Sequence, residues 1–281
     1  MKILVTNDDG YKAKGLASLV KSLKGFGEVT VIAPKKPQSA VSLAVTMGYR
    51  PIAVKELGII DGARWMYLDG TPASCVKFGI DNVFTDGKPD VVVSGINHGS
   101  NTATAACYSA TLGSAAEAAI NHVLGVGVSL DSFDPDADFS AVEAIFPDIF
   151  RKILASLDGK FGAYYNINFP DLPAASIKGI RTCHMGIGHW EKEFEDWDPE
   201  AIAAKGVNLS DYDIDPSKVI PEDGEVIYYM AGHFVDDSMN VAGADHRTVK
   251  EGYITVVEHN IDNTDYAAIT RLGSSGLNID F

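Results

Sequence analysis

Cysteine is scarce in this chain of 281 residues. Its three cysteines, Cys75, Cys107 and Cys183, are too few and too scattered for a disulfide framework or a thiolate metal site. They read as small buried hydrophobes suited to a reducing compartment. Positive charge is also short: 23 Lys and Arg stand against 38 Asp and Glu, a formal net charge of −15. That balance opposes binding to duplex nucleic acid by counterion release and leaves a small anion held by a metal as the compatible partner. No apolar run reaches membrane-spanning length, so no membrane partner is expected. The amino terminus meets Asp8 and Asp9 too soon for a secretory leader, which points to the cytoplasm. Neither the G-x-G-x-x-G fingerprint nor the G-x-x-x-x-G-K-[ST] loop is present, so a dinucleotide or P-loop site is not indicated.

What is present is organised around Thr6-Asn7-Asp8-Asp9-Gly10. An apolar run, Ile3-Leu4-Val5, ends in two adjacent carboxylates, followed by a turn glycine and an amphipathic helix pattern. An unpaired charge at the end of a central strand is costly, so something must compensate this pair. Carboxylate oxygens without a His or Cys cluster suit Mg²⁺ or Mn²⁺ better than Zn²⁺. An Asp-Asp-Gly turn can equally be a polar connection, and the choice depends on the other strand ends.

Those ends follow in order. Glu28–Pro34 is a second strand, and the loop after it carries Ser39 on the same side of the sheet, given a right-handed crossover. Thr71-Pro72 opens a helix by capping chemistry. Pro89–Ser94 is a buried strand that runs into Gly95-Ile96-Asn97-His98-Gly99-Ser100-Asn101, a second polar floor offering amide oxygens and donors. Tyr108-Ser109-Ala110-Thr111 begins a further helix, where hydroxyls and free N–H groups form a natural phosphate seat or an ordinary cap. His98 has no visible nucleophile to serve and reads first as a loop histidine. Strands and helices alternate as far as Pro170, which predicts an α/β fold with a doubly wound, mostly parallel sheet. The expected division is a core over 1–176, completed within the same domain by 177–281. Within the latter, residues 191–225 carry twelve acidic against three basic side chains and read as a solvated excursion. Val226–Met230 and Tyr253–Val257 are late strands, available to an arm that pairs with another subunit.

Taken together, Asn7-Asp8-Asp9-Gly10, Ala33-Pro34 with Ser39, Gly70-Thr71-Pro72, Ser94-Gly95-Ile96-Asn97 with Gly99 and Asn101, and Tyr108-Ser109 with Thr111 resemble the SurE-type survival proteins, which are metal-dependent nucleotidases. The resemblance implies a Rossmann-like core with a carboxy-terminal β-hairpin arm exchanged between subunits of a homodimer or homotetramer. It implies one divalent cation held by Asp8, Asp9, Ser39 and Asn97. Asn101, Ser109 and Thr111 would lie around the phosphate, and Asp8, Asp9 and Asn101 would be the catalytic set. The implied reaction is hydrolysis of nucleoside 5′- and 3′-monophosphates, with short polyphosphate as a further substrate. Two alternatives stand beside it: an aspartyl-phosphate enzyme, and a protein that binds nucleotide and metal without turnover. The chain departs from the family at Ala40 and Ala110, where glycines are usual, at Thr104 and Ala105, where acidic residues are common, and in the acidic excursion.

Overall fold

The computed structural model describes residues 1–212 and 214–277. In chain order its strands are β1 (Lys2–Thr6), β2 (Glu28–Pro34), β3 (Val54–Ile60), β4 (Ala63–Leu68), β5 (Val91–His98), β6 (Leu124–Leu130), β7 (Ala163–Phe169), β8 (Ile180–Thr182), β9 (Gly188–Glu191), β10 (Phe194–Asp196), β11 (Tyr228–Met230), β12 (His233–Asp236) and β13 (Ile254–Asn260). Between them run the helices α1 (Lys14–Ser22), α2 (Pro72–Phe78), α3 (Ala110–Ile120), α4 (Ser140–Ser156), α5 (Pro199–Ala204), α6 (Asp245–Lys250) and α7 (Tyr266–Leu272).

Nine strands form one sheet in the order β3-β4-β2-β1-β5-β6-β7-β13-β8. The six from β4 to β7 are parallel, and the order runs outward in opposite directions from the pair β1 and β5. A crevice opens at such a reversal because the connections on its two sides leave to opposite faces of the sheet. Here the reversal lies between the strands that end in Asp8-Asp9 and in Asn97.

The central strands are apolar on both faces because both are covered. Along β1, Ile3 and Val5 pack with Leu16 and Leu19 of α1 and Phe146 and Phe150 of α4. Leu4 points the other way, into a cluster with Ile32, Val92, Cys75 and Val76 of α2, and Ala118 of α3. Local chemistry sets the helix starts. Thr71 caps α2 through the Ser74 N–H with Pro72 in its first turn, and Asp265 caps α7. α4 runs through Pro147 without a break in its span.

The late strands divide differently from the sequence expectation. Tyr253–Val257 is not part of an arm: β13 is inserted in the main sheet, antiparallel to β7 and parallel to β8. Val226–Met230 does contribute to an arm, and its partner is a stretch that charged, exposed side chains concealed. β9 pairs with β12 and β10 with β11, both antiparallel, so 188–196 and 228–236 form an interrupted two-stranded ribbon. The acidic excursion, with α5, is the connection at its tip.

Candidate functional site

Asp8 and Asp9 follow β1 directly, and Asp8 is buried. Its Oδ1 accepts a 2.7 Å hydrogen bond from the Thr111 hydroxyl, itself wholly buried in the first turn of α3. Asp9 faces the backbone N–H of His98, at the end of β5, which favours its charged form. Burial pushes the Asp8 carboxyl well above the ordinary carboxylate range, the neighbouring Asp9 charge pushes it further, and Thr111 pulls it back. Burial raises the Asp9 carboxyl as well, against the His98 N–H. Asp9 Oδ2 is a buried oxygen with no hydrogen-bond partner. The turn itself needs Gly10, whose φ is +93° and whose missing side chain would meet the Pro34 carbonyl at 3.4 Å.

The loop after β2 is stitched to both sides of this turn. Gln38 N–H donates to the Asp8 carbonyl at 2.8 Å, and Ser42 N–H donates to the Tyr108 carbonyl, just ahead of α3, at 2.9 Å. Ser39 lies between these two anchors, exposed, next to the residue bound to Asp8. Asn97 stands at the end of β5, half-buried, and its amide nitrogen donates to the His98 and Gly99 carbonyls at 3.2 and 2.8 Å. Its Oδ1 is thereby the side-chain atom that a cation could take. The ring of His98 packs edge-on to Phe139 at 5.1 Å.

Asn101 is buried, and the base of the crevice holds it closely. Its N–H donates to Asn168 Oδ1 at 2.7 Å, its carbonyl accepts from Asn166 at 2.8 Å, and its amide nitrogen donates to Ser129 at 2.8 Å. Ser109 is the N-cap of α3, accepting from Leu112 N–H at 3.2 Å. Thr111, expected around a phosphate, donates its hydroxyl to Asp8 and so ties the first turn of α3 to the acidic pair.

The two alanine departures differ physically. Ala40 sits at φ 58°, a left-handed conformation that costs an alanine about 1–2 kcal/mol and that glycine adopts freely. Ala110 opens α3, where an alanine methyl carries no such strain. Ala40→Gly is therefore expected to hold or raise stability, by up to about 1 kcal/mol once glycine's entropy is counted. Ala110→Gly should lower it by about 1 kcal/mol. Thermal melts of the two variants check this opposition of sign.

Sequence reasoning missed two supports of the site. Asn166 and Asn168 alternate along β7 and look like ordinary strand polar positions, yet both are fully buried beneath Asn101. Asp245, from the start of α6, reaches the N–H of Ala103. An Asn-Xaa-Asn pair at the carboxyl end of an otherwise apolar strand is the signal that could have found the first.

The residues present fit a hard divalent cation. Among the described residues no group of three His, Cys, Asp or Glu side chains is arranged to hold a metal ion. The donors such a cation could use are two carboxylates, a hydroxyl and an amide oxygen, from the ends of three neighbouring strands. The unpartnered Asp9 Oδ2, in a pair that desolvation disfavours as a dianion, is the atom a cation would satisfy.

The family model described as "Survival protein SurE" matches residues 3–192. The chain is 34% identical over 280 residues to a protein of Christiangramia forsetii named 5′-nucleotidase SurE, covering 98% of this chain and 97% of that one. It is 33% identical over 271 residues to the 5′-nucleotidase SurE of Cytophaga hutchinsonii, covering 96% and 95%. The crystal structure of the SurE protein from Aquifex aeolicus superposes with a TM-score of 0.75 at 27% identity, covering 97% of this chain and 98% of that one.

Proposed function

The chain belongs to the SurE family of survival proteins, and on that footing we propose that it is a metal-dependent phosphomonoesterase hydrolysing nucleoside 5′- and 3′-monophosphates to nucleoside and phosphate. The observations that support this reading are the adjacency of the β2, β1 and β5 ends at the sheet's reversal point and the buried Asp9 oxygen that has no hydrogen-bond partner among the described residues. Short polyphosphate, with the same repeating phosphoryl chemistry, is a second substrate class.

Asp8, Asp9, Ser39 and Asn97 are proposed to hold one Mg²⁺ or Mn²⁺. When bound, such a cation supplies charge neutralisation at the phosphoryl group and acidifies an attacking water. The chain's own groups do the rest. Thr111 and His98 N–H fix the two carboxylates, so that they need not reorganise when substrate enters. The acidic pair takes the proton of the attacking water. Phosphorus gains the water oxygen and loses the ribose oxygen, and the proton taken by the acidic pair is given back so that the nucleoside leaves as an alcohol. Charge on the equatorial oxygens falls to the first-turn N–H groups of α3, the Ser109 hydroxyl and the Asn101 amide. Of these, Asn101 is already spoken for on one side by Ser129, so its remaining N–H is the one available.

The ribbon supports assembly into a homodimer or homotetramer. Phe194, Val226, Tyr228 and Met230 are each more than half exposed along it, an apolar stripe that a second copy of the chain would cover. Three free cysteines support a reducing, cytoplasmic setting. None of the described helices is long and apolar enough to cross a membrane.

Phosphate release from AMP and GMP with Mg²⁺ or Mn²⁺ tests the proposal. Metal-dependent turnover abolished by chelation is expected. Tight nucleotide binding without release would instead favour the non-catalytic alternative, and a hydroxylamine-sensitive phosphorylated Asp8 would favour the aspartyl-phosphate route.

A further inference from the structure

The carboxylate of Asp245 has no exposed surface, and no Lys or Arg among the described residues bridges it. Three backbone N–H groups hold it instead. Ala103 donates to both oxygens at 3.0 and 3.2 Å, Gly186 to Oδ1 at 2.9 Å and His246 to Oδ1 at 2.8 Å. The donors come from three places: the loop that follows β5, the root of the ribbon just before β9, and the first turn of α6. The ring nitrogen Nδ1 of His246 lies 3.7 Å from its Oδ1.

Two further features show that this junction is built closely. Ala103 sits at φ 50°, a conformation that costs an alanine about 1–2 kcal/mol, and Asp245 receives the N–H of that residue. At Gly186 any side chain would meet His246 Nδ1 at 2.2 Å and Asp245 Oδ1 at 3.3 Å, so the ribbon root lies flush against the carboxylate. Thr104 donates its hydroxyl to the Gly188 carbonyl and adds a second tie between loop and ribbon. Asn101, fixed from below by Asn166 and Asn168, is two residues from this clamp, and the 103–107 turn leads directly to Ser109.

We infer that Asp245 is a positioning residue for the phosphomonoester reaction: it holds Ala103 in its strained conformation and thereby sets Asn101 and the start of α3, making the substrate side of the site depend on how the ribbon root is seated. This rests on the function proposed above. Asp245 touches neither the acidic pair nor the Ser39 loop, so its loss should separate substrate handling from cation binding. A misplacement of about 1 Å in a phosphate-binding loop costs a reaction up to about a hundredfold.

The test uses the full chain with Asp245→Asn, which keeps one acceptor oxygen, and Asp245→Ala, which keeps none. Three quantities are compared: kcat and KM for AMP at saturating Mn²⁺, Mn²⁺ affinity by calorimetry, and hydrogen exchange in peptides covering 100–107 and β1. The expected result is kcat/KM for AMP lower by about 10- to 100-fold in the alanine variant and by less in the asparagine variant. Mn²⁺ affinity should stay within about twofold, and exchange should rise at 100–107 but not at β1. Kinetic constants within about twofold of the parent in both variants would overturn the inference. So would loss of Mn²⁺ affinity and β1 protection together with activity, which marks general unfolding. If the parent protein releases no phosphate, the phosphomonoesterase reading fails on its own. Exchange at 100–107 then decides the clamp: unchanged rates in Asp245→Asn refute it, and faster rates support it.

Discussion

Replacing Asp9 by asparagine is expected to lower kcat/KM for a nucleoside monophosphate by at least about a thousandfold, a loss of about 4 kcal/mol of transition-state stabilisation. The same change should make the metal-free protein more stable. Asp9 Oδ2 is buried without a partner, and desolvation raises both carboxyl groups of the pair. Asparagine has nearly the same shape, still accepts from His98 N–H and removes one of two adjacent buried charges. A loss of activity with a gain in melting temperature is the signature of a residue kept for its chemistry rather than for the fold. A drop in both would mean that Asp9 is structural, and unchanged turnover would remove it from the catalytic set. Steady-state kinetics and thermal melts in chelator measure the two effects.

A second large effect is the dependence of metal-free stability on pH. Asp8 and Asp9 bind protons more tightly in the native protein than in the unfolded chain, since burial raises both from the usual 3.8 toward neutrality. Between roughly pH 4 and pH 7 the native state therefore holds protons that the unfolded chain has released, and stability falls as pH rises. Below that window the stabilising contribution is fully present; above it, it is gone. A divalent cation reverses the trend, because it binds the deprotonated pair. At a hundredfold excess over its dissociation constant it adds about 2.7 kcal/mol, and it does so at pH 8 but much less at pH 5. Melting temperatures at pH 5 and pH 8, each with chelator and with Mn²⁺, should thus show the largest metal-induced rise at the higher pH. Equal rises at both would contradict the coupling, and Asp9→Asn should flatten it.

The parts of this protein that were legible in the sequence are those with local causes. Thr71-Pro72 and Asp265 mark helix starts by chemistry within one turn, and the apolar runs of β1, β2, β5 and β6 announce strands buried on both faces. Asp8, Asp9 and Asn97 stand out because polar residues at the ends of such strands have few reasons to be there. The ribbon was half hidden for the opposite reason. Residues 188–196 are mostly exposed and charged, and their partner lies beyond a connection of some thirty residues, so no local period betrays the pairing. β13 reads like any late apolar strand, and only tertiary packing places it against β7. Asp245 occupies a short, aperiodic stretch, and nothing near it in sequence shows that its partners are Ala103 and Gly186. Thr111 was visible as a hydroxyl at a helix start, but which oxygen it serves depends on α3 crossing the acidic turn.

Four oxygen donors from three strand ends are proposed to share one cation. Anomalous scattering from a crystal grown with Mn²⁺ tests this directly. One peak within about 2.2 Å of oxygens from Asp8, Asp9, Ser39 and Asn97 is the predicted result. A peak elsewhere in the crevice, or one that leaves out Ser39 and Asn97, would contradict it.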